Sequence, residues 1–143
     1  MRLSEAILLG SVGSEQCAGY LIRDRKTCAL GAAAIAVGIS QLDDSMVPDA
    51  IDLTVGERII NDLVKEWPCI EKQWVDCPVC AHHANLHWII GAHLNDQHKW
   101  TRPAIAAWVA TIEPQEVLLL PDLTSTHLLE VGQQVELAEV RTT

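Results

Sequence analysis

The chain has 143 residues, which is enough for one domain with its own hydrophobic core. Its hydrophobic content of 49% excludes a largely disordered protein. The net charge of −9 at pH 7 makes nucleic acid an unfavourable partner, because a nucleic-acid binder must neutralise phosphates.

The first part of the chain predicts two short helices on either side of a strand-like segment. Ser4 is expected to cap the first helix, which runs to about Ser11 before a series of glycines interrupts the pattern. Residues 16–26 read as a short strand or loop that contains a charged turn. Thr27 is expected to cap the second helix, whose alanines would let another helix approach closely. The apolar run 28–39 is too short to span a bilayer, so no membrane association is predicted.

The middle of the chain predicts an acidic loop followed by a strongly amphipathic helix. Residues 40–53 are acidic and contain Pro48. Residues 54–57 match a capping box, in which a hydroxyl and a carboxylate satisfy the first free backbone N–H groups. Apolar residues then recur at helical spacing up to Trp67, and Pro68 ends the pattern.

A cluster of cysteines and histidines follows. Cys77, Cys80, His93 and His98 form the pattern C-x2-C-x12-H-x4-H, which has the spacing of a two-Cys, two-His zinc site. Two cysteines three residues apart can place both thiolates on one side of a tight turn. Two histidines five residues apart can face one point if their helix ends in a loosened turn. Tetrahedral Zn²⁺ would complete a closed, structural site without catalytic water.

Alternatives to this ligand set stay open at the level of sequence. The same four residues could be free thiols and surface histidines, and His82, His83 or His87 could replace one of the proposed ligands. The core aromatic that such modules place after the second cysteine is missing, and Trp88 is expected to fill that core from another angle.

The last third predicts one more helix and a tail. Thr101 is expected to cap a helix over 102–112, with Pro103 in its first turn, where a missing N–H costs nothing. Beyond it, 117–120 is a short apolar run, and 128–140 resembles a hairpin around Gly132-Gln133. A lone hairpin is marginal in water, so we expect the tail to pack on its own body or to pair with a second copy as a homo-oligomer.

Together these patterns predict a mainly α fold with a zinc-finger-like module and a short β-rich C-terminal tail. We predict an N-terminal helical part over 1–76, the zinc module with its following helix over 77–112, and an extension over 113–143. Helices are expected near 4–12, 28–38, 55–67, 86–99 and 102–112. Short strands are expected near Tyr20, at the Cys77–Cys80 turn and in the tail.

The sequence bears on three classes of function: nucleic-acid binding, catalysis and protein binding. A DNA- or RNA-reading module projects cations from the start of its helix, and residues 81–92 contain no Lys or Arg. The candidates for catalysis are Asp43-Asp44, Asp96 beside the proposed ligands, and Cys28 at a helix start. The standard catalytic motifs are missing from the sequence, and Cys28 is better explained as a small buried residue. An acidic chain of this kind is most simply a non-enzymatic protein-binding module. An odd number of cysteines beyond the metal pair favours a reducing cytoplasm.

Several segments resemble one group of proteins. The run from Cys28, C-A-L-G-A-A, the pair Cys77-Pro78-Val79-Cys80 and the segment H-L-N-D-Q-H-K-W from His93 occur in this order. They are similar to small, mostly uncharacterised proteins of tailed bacteriophages and prophages. The resemblance covers about residues 1–112, and Pro103 stands where many relatives have Glu. It implies a phage protein that acts in the cytoplasm of a bacterial host or is carried in the virion.

Overall fold

The computed structural model describes residues 1–39 and 53–115, and of residues 53–55 it describes the backbone alone. The helices are α1 (Leu3–Ser11), α2 (Ala29–Ala36), α3 (Leu53–Glu66), the short α4 (Cys69–Lys72), α5 (Leu86–Trp88), which continues as a π-helix (Ile89–Gln97), and α6 (Arg102–Ile112). The strands are β1 (Ile22–Arg23), β2 (Lys26–Thr27), β3 (Trp74–Asp76) and β4 (His83–Asn85). A mainly α architecture with small strands is therefore confirmed for the described residues.

Helix α1 packs on both α2 and α6, and small residues allow a very close approach to α2. A Cβ at Gly10 would lie 1.7 Å from the carbonyl oxygen of Ala32, so only glycine fits there. The close approach predicted from the alanines is confirmed, and α1 ends at Ser11 as predicted.

The predicted caps of these two helices are wrong. Ser4 lies inside α1, and its N–H and hydroxyl donate to the carboxylate of Glu113, 109 residues away. Arg2 pairs with the same carboxylate at 2.9 Å. Because an anion near a helix start satisfies free N–H groups and favours the helix dipole, Glu113 acts as a long-range cap of α1. In α2 the cap is Cys28 and not Thr27, since its sulfur accepts from the N–H of Gly31.

Residues 16–26 contain the predicted strand and charged turn. β1 and β2 are antiparallel, with Ile22 opposite Thr27 and Arg23 opposite Lys26. Asp24 and Arg25 form the turn between them with positive φ values of 49° and 63°, as a tight two-residue hairpin turn requires.

The amphipathic face of α3 is buried as predicted. Ile59, Leu63 and Trp67 contribute to the core, and α3 ends at Glu66 just before Pro68. The sequence did not predict the short helix α4 that Pro68 begins. Its Ile70 is fully buried and links α3 to the next hairpin.

One cluster of buried side chains joins α1, α2, α3, the π-helix and α6. In α6, Thr101 accepts from the N–H of Ala104 and Pro103 stands in the first turn, both as predicted. Among the described helices, none combines the length and apolar character needed to cross a membrane. The predicted loop over 40–52 and the predicted tail strands beyond 115 lie outside the described residues, and the division at 76/77 and 112/113 stays a prediction.

Candidate metal centre

The two cysteines stand on the turn between β3 and β4. The hairpin pairs Trp74 with Asn85, Val75 with Ala84, and Asp76 with His83. At its tip, the N–H of Ala81 donates to the carbonyl of Cys77 at 2.9 Å, and the N–H of Cys77 donates to His82 at 2.8 Å. Ala81 has a positive φ of 60°, a conformation that costs a non-glycine residue about 1 kcal/mol or more. This strained, tightly bonded turn holds both sulfurs on the same side.

His93 lies within the π-helix and His98 is its C-cap residue, and the geometry of this helix explains their spacing. In an α-helix, residues five apart point about 140° away from each other around the axis. In a π-helix the hydrogen bonds run from residue i+5 to residue i, which places such residues one above the other. The N–H of His98 donates to the carbonyl of His93 at 2.7 Å. The loosened turn that the spacing required is therefore present, although it extends over nine residues instead of only the end of the helix.

The four predicted residues converge on one point. One ligand atom from each of Cys77, Cys80, His93 and His98 lies within 4.8 Å of the others. Sγ of Cys80 lies 3.4 Å from Nδ1 of His93. Bonds of about 2.3 Å to sulfur and 2.0–2.1 Å to nitrogen place tetrahedral ligand atoms roughly 3.5 Å apart, so this pair already has the separation that zinc requires.

The burial of two of these side chains and an unpaired nitrogen of a third are also consistent with a bound metal ion. Cys77 and His93 are buried, and Nε2 of His98 is buried without a hydrogen-bond partner. An unpaired buried nitrogen is costly, and a metal bond would satisfy it. Burial, followed by the neighbouring imidazoles of His82 and His98, lowers the pKa of His93 and so favours the neutral form that binds metals. Two thiolates would balance the charge of one divalent cation. The cluster could thus hold a metal ion.

The other nearby histidines have different partners. His82 stacks on His93 with ring centroids 4.6 Å apart, His83 bonds Asp76 at 2.8 Å, and Nδ1 of His87 lies 3.1 Å from the carbonyl oxygen of Ile70. None of the three belongs to the ligand cluster found among the described residues. His82 instead forms one wall of the site.

A polar network that the sequence did not reveal holds the end of the π-helix. Fully buried Asn95 donates to the carbonyl of Cys17 and accepts from Gln16, which also donates to the carbonyl of Trp100. The backbone N–H of Arg102 donates to Gln16 at 3.3 Å. These contacts join positions about 80 residues apart, so no local pattern could have indicated them.

The buried guanidinium of Arg102 extends this network. It donates to the hydroxyls of Ser14 and Thr27 at 2.9 and 2.6 Å and to the carbonyls of Ser11 and Ser14. It therefore ties the start of α6 to the segment that follows α1 and to β2. Burial lowers the pKa of Arg102.

Among the described residues, those considered for catalysis do not assemble into a second site. Cys28 is buried, and burial raises the pKa of its thiol to about 12, so it is a core residue and not an activated nucleophile. Asp96 accepts from its neighbour Asn95, and no bond to a ligand histidine was found. Asp43-Asp44 lies outside the described residues. No disulfide bond joins any of the five cysteines.

The prediction that Trp88 fills the core of the zinc module is wrong. Instead of filling the module's core it is half exposed, and Ile89, Ile90 and Leu86 occupy the interior beneath the site. Ala84, at the position of the missing core aromatic, is buried.

The chain matches no protein-family model, no curated protein and no solved structure.

Proposed function

We propose that this chain is a small zinc-binding accessory protein of a tailed phage or prophage, which acts by binding another protein of the host or of the phage. In this proposal the metal has a structural role. Cys77 and Cys80 fix the hairpin, His93 and His98 fix the π-helix, and the bound Zn²⁺ holds the two elements at one angle.

The observation that carries the proposal is the exposure of large apolar side chains on the hairpin and the helix that hold the four cysteine and histidine side chains. Trp74, Val79 and Trp88 are 60%, 52% and 51% exposed, although the rest of the module buries its aliphatic side chains well. Tryptophan is enriched among residues that dominate binding energy at protein interfaces. Exposed indoles beside a closed, structural metal site are better suited to recognition of a partner protein than to catalysis.

Metal content is the first test. Elemental analysis of the purified protein should give about one zinc per chain, and Co²⁺ substitution should give the absorption of a tetrahedral S2N2 site. Cys80→Ser should lose the metal. Cys17→Ser is the matched control, because Cys17 lies outside the ligand cluster. If Cys80→Ser retains full zinc content and thermal stability, the metal role is wrong.

Partner binding is the second test. Zinc-loaded protein is used to capture partners from infected and uninfected host cells, and a captured protein counts only if purified partner binds directly. Trp74→Ala should weaken that binding about 30-fold or more, as expected for loss of a central interface tryptophan. Leu9→Ala is the matched control, since Leu9 is equally exposed but lies on α1. Equal binding by both variants would exclude the module as the binding surface.

One observation favours a second candidate, a zinc-dependent nucleic-acid-binding regulator. Exposed Trp74 lies against His83 with ring centroids 5.6 Å apart, and such rings can stack on unpaired bases. Charge opposes this candidate, because Arg102 is buried and the chain carries −9 overall. Titration of single-stranded and duplex DNA at several salt concentrations separates the two. Sub-micromolar binding with a steep salt dependence would favour the regulator.

A further inference from the structure

The two cysteines of the metal cluster differ in their surroundings. Cys77 is buried, whereas Cys80 is exposed. Both stand on the turn between β3 and β4, and their sulfur atoms belong to a cluster whose ligand atoms lie within 4.8 Å of one another. A small reagent that approaches the cluster therefore meets the sulfur of Cys80 first.

The two sulfur atoms are close enough to form a disulfide bond with each other. The bond is about 2.05 Å long, so sulfur atoms within 4.8 Å need to approach by less than about 3 Å. The backbone hydrogen bonds from Ala81 to Cys77 and from Cys77 to His82 hold the turn closed. Rotation of the two side chains can therefore supply the approach, and the C-x-x-C spacing is one that disulfide oxidoreductases use.

The other three cysteines are less reactive toward an oxidant. Burial raises the pKa of Cys17, Cys28 and Cys69, and the pKa of Cys28 reaches about 12. A thiol reacts as its thiolate, which these three form only to a small extent at neutral pH. Zinc instead binds cysteines as thiolates, so the metal-bound pair is in the reactive form.

We propose that Cys80 is an oxidation site, at which a peroxide starts the formation of a Cys77–Cys80 disulfide and the release of the metal. This inference rests on the zinc binding proposed above and adds its regulation. The burial of one sulfur and the exposure of the other set the order of the two chemical steps.

The chemistry balances with hydrogen peroxide as the oxidant. The thiolate of Cys80 attacks the peroxide, an S–O bond forms, the O–O bond breaks and hydroxide leaves, which gives a sulfenic acid. The thiolate of Cys77 then attacks the sulfur of Cys80, an S–S bond forms, the S–O bond breaks and a second hydroxide leaves. The two sulfurs together lose two electrons, and the peroxide gains them.

The disulfide would separate the two elements that the metal joins. Only His93 and His98 remain as ligands, and the site loses both of its anionic groups. Trp74 belongs to the hairpin, and Trp88 directly precedes the π-helix. Oxidation therefore acts on the surface proposed to bind the partner protein.

Peroxide titration of the full-length, zinc-loaded protein tests the proposal. A chromogenic chelator measures released zinc, and mass spectrometry after alkylation locates the disulfides. We expect equal amounts of released zinc and of the Cys77–Cys80 disulfide, and full recovery after dithiothreitol and added Zn²⁺. Cys17→Ser is the matched control and should release zinc at an unchanged rate, because Cys17 lies outside the cluster.

Trapping of the sulfenic acid shows which sulfur reacts first. The zinc-loaded protein is treated briefly with less than one equivalent of peroxide in the presence of dimedone, which labels sulfenic acids. We expect several-fold more label on Cys80 than on any other cysteine.

The outcomes separate this proposal from the zinc binding on which it rests. Protein purified without zinc would contradict the metal role and this proposal together. Protein that contains zinc but keeps it in excess peroxide, or releases it without a Cys77–Cys80 disulfide, would overturn the regulation alone. Dimedone label mainly on Cys77 would overturn Cys80 as the oxidation site.

Discussion

The contact between α1 and α2 makes a precise prediction about Gly10. An added Cβ would lie 1.7 Å from the carbonyl oxygen of Ala32, 2.4 Å from its carbon and 2.9 Å from its Cα. Ordinary van der Waals contact begins near 3.4 Å, so Gly10→Ala requires the two helices to separate by roughly 1.7 Å. Both neighbours are backbone atoms of a buried helix, and a rotamer change cannot relieve the clash.

The expected cost follows from two opposing effects. Overpacking a dense core costs about 1–3 kcal/mol and sometimes more. Alanine recovers up to about 1 kcal/mol through its better helix propensity. Because the clash is with backbone atoms, we expect a cost at or above the upper end of that range. Gly10→Ala should therefore lower the free energy of unfolding by about 2 kcal/mol or more, and the melting temperature by several degrees in a chain of this size.

Gly56→Ala is the matched control. Gly56 lies within α3, and an added Cβ there meets no atom within 4 Å. The same substitution should thus raise stability by about 0.5–1 kcal/mol. Both variants are compared by urea denaturation at equal zinc occupancy. If both changes have the same sign, or if Gly10→Ala stays within about 0.5 kcal/mol of the original, the close α1–α2 approach is wrong.

Three further predictions concern single polar groups. Glu113→Ala should lower the unfolding free energy by about 1–3 kcal/mol, because α1 loses its cap and Arg2 its partner, and Glu113→Gln should recover part of this in urea denaturation. Arg102→Met should cost about 2–4 kcal/mol by the same assay, since it removes four hydrogen bonds of a buried guanidinium, and a loss below 0.5 kcal/mol would contradict the network. In metal-free protein the lowered pKa of His93 means that the unfolded chain takes up the proton first, so stability should fall as pH falls below the ordinary value of 6.5. His93→Gln should reduce that pH dependence, which urea midpoints at pH 7.5 and 5.5 would measure.

Local sequence patterns determined the longer helices and the convergence of four cysteine and histidine side chains. The apolar spacing of α3 and α6 predicts which faces are buried, because a helix can bury a stripe of side chains only when they recur every three to four residues. The spacing of Cys77, Cys80, His93 and His98 predicts their convergence for a similar reason. Each pair lies within one short element, so the geometry of a turn or a helix limits where its ligand atoms can point.

Tertiary structure decided the features that depend on distant residues. The cap of α1, the Arg102 network and the contacts of Asn95 join groups that are far apart in sequence. At the start of α2, two adjacent residues could each have served as the cap, and the structure selects Cys28. Ser4 has the right chemistry for a cap but lies inside the helix, because Glu113 reaches its N–H from the other end of the described chain. Likewise, Trp88 is apolar enough for the core, yet Ile89 and Ile90 occupy the interior. The identity of a residue specifies the environment that favours its side chain. Only the packed structure determines which of several suitable residues occupies each buried position.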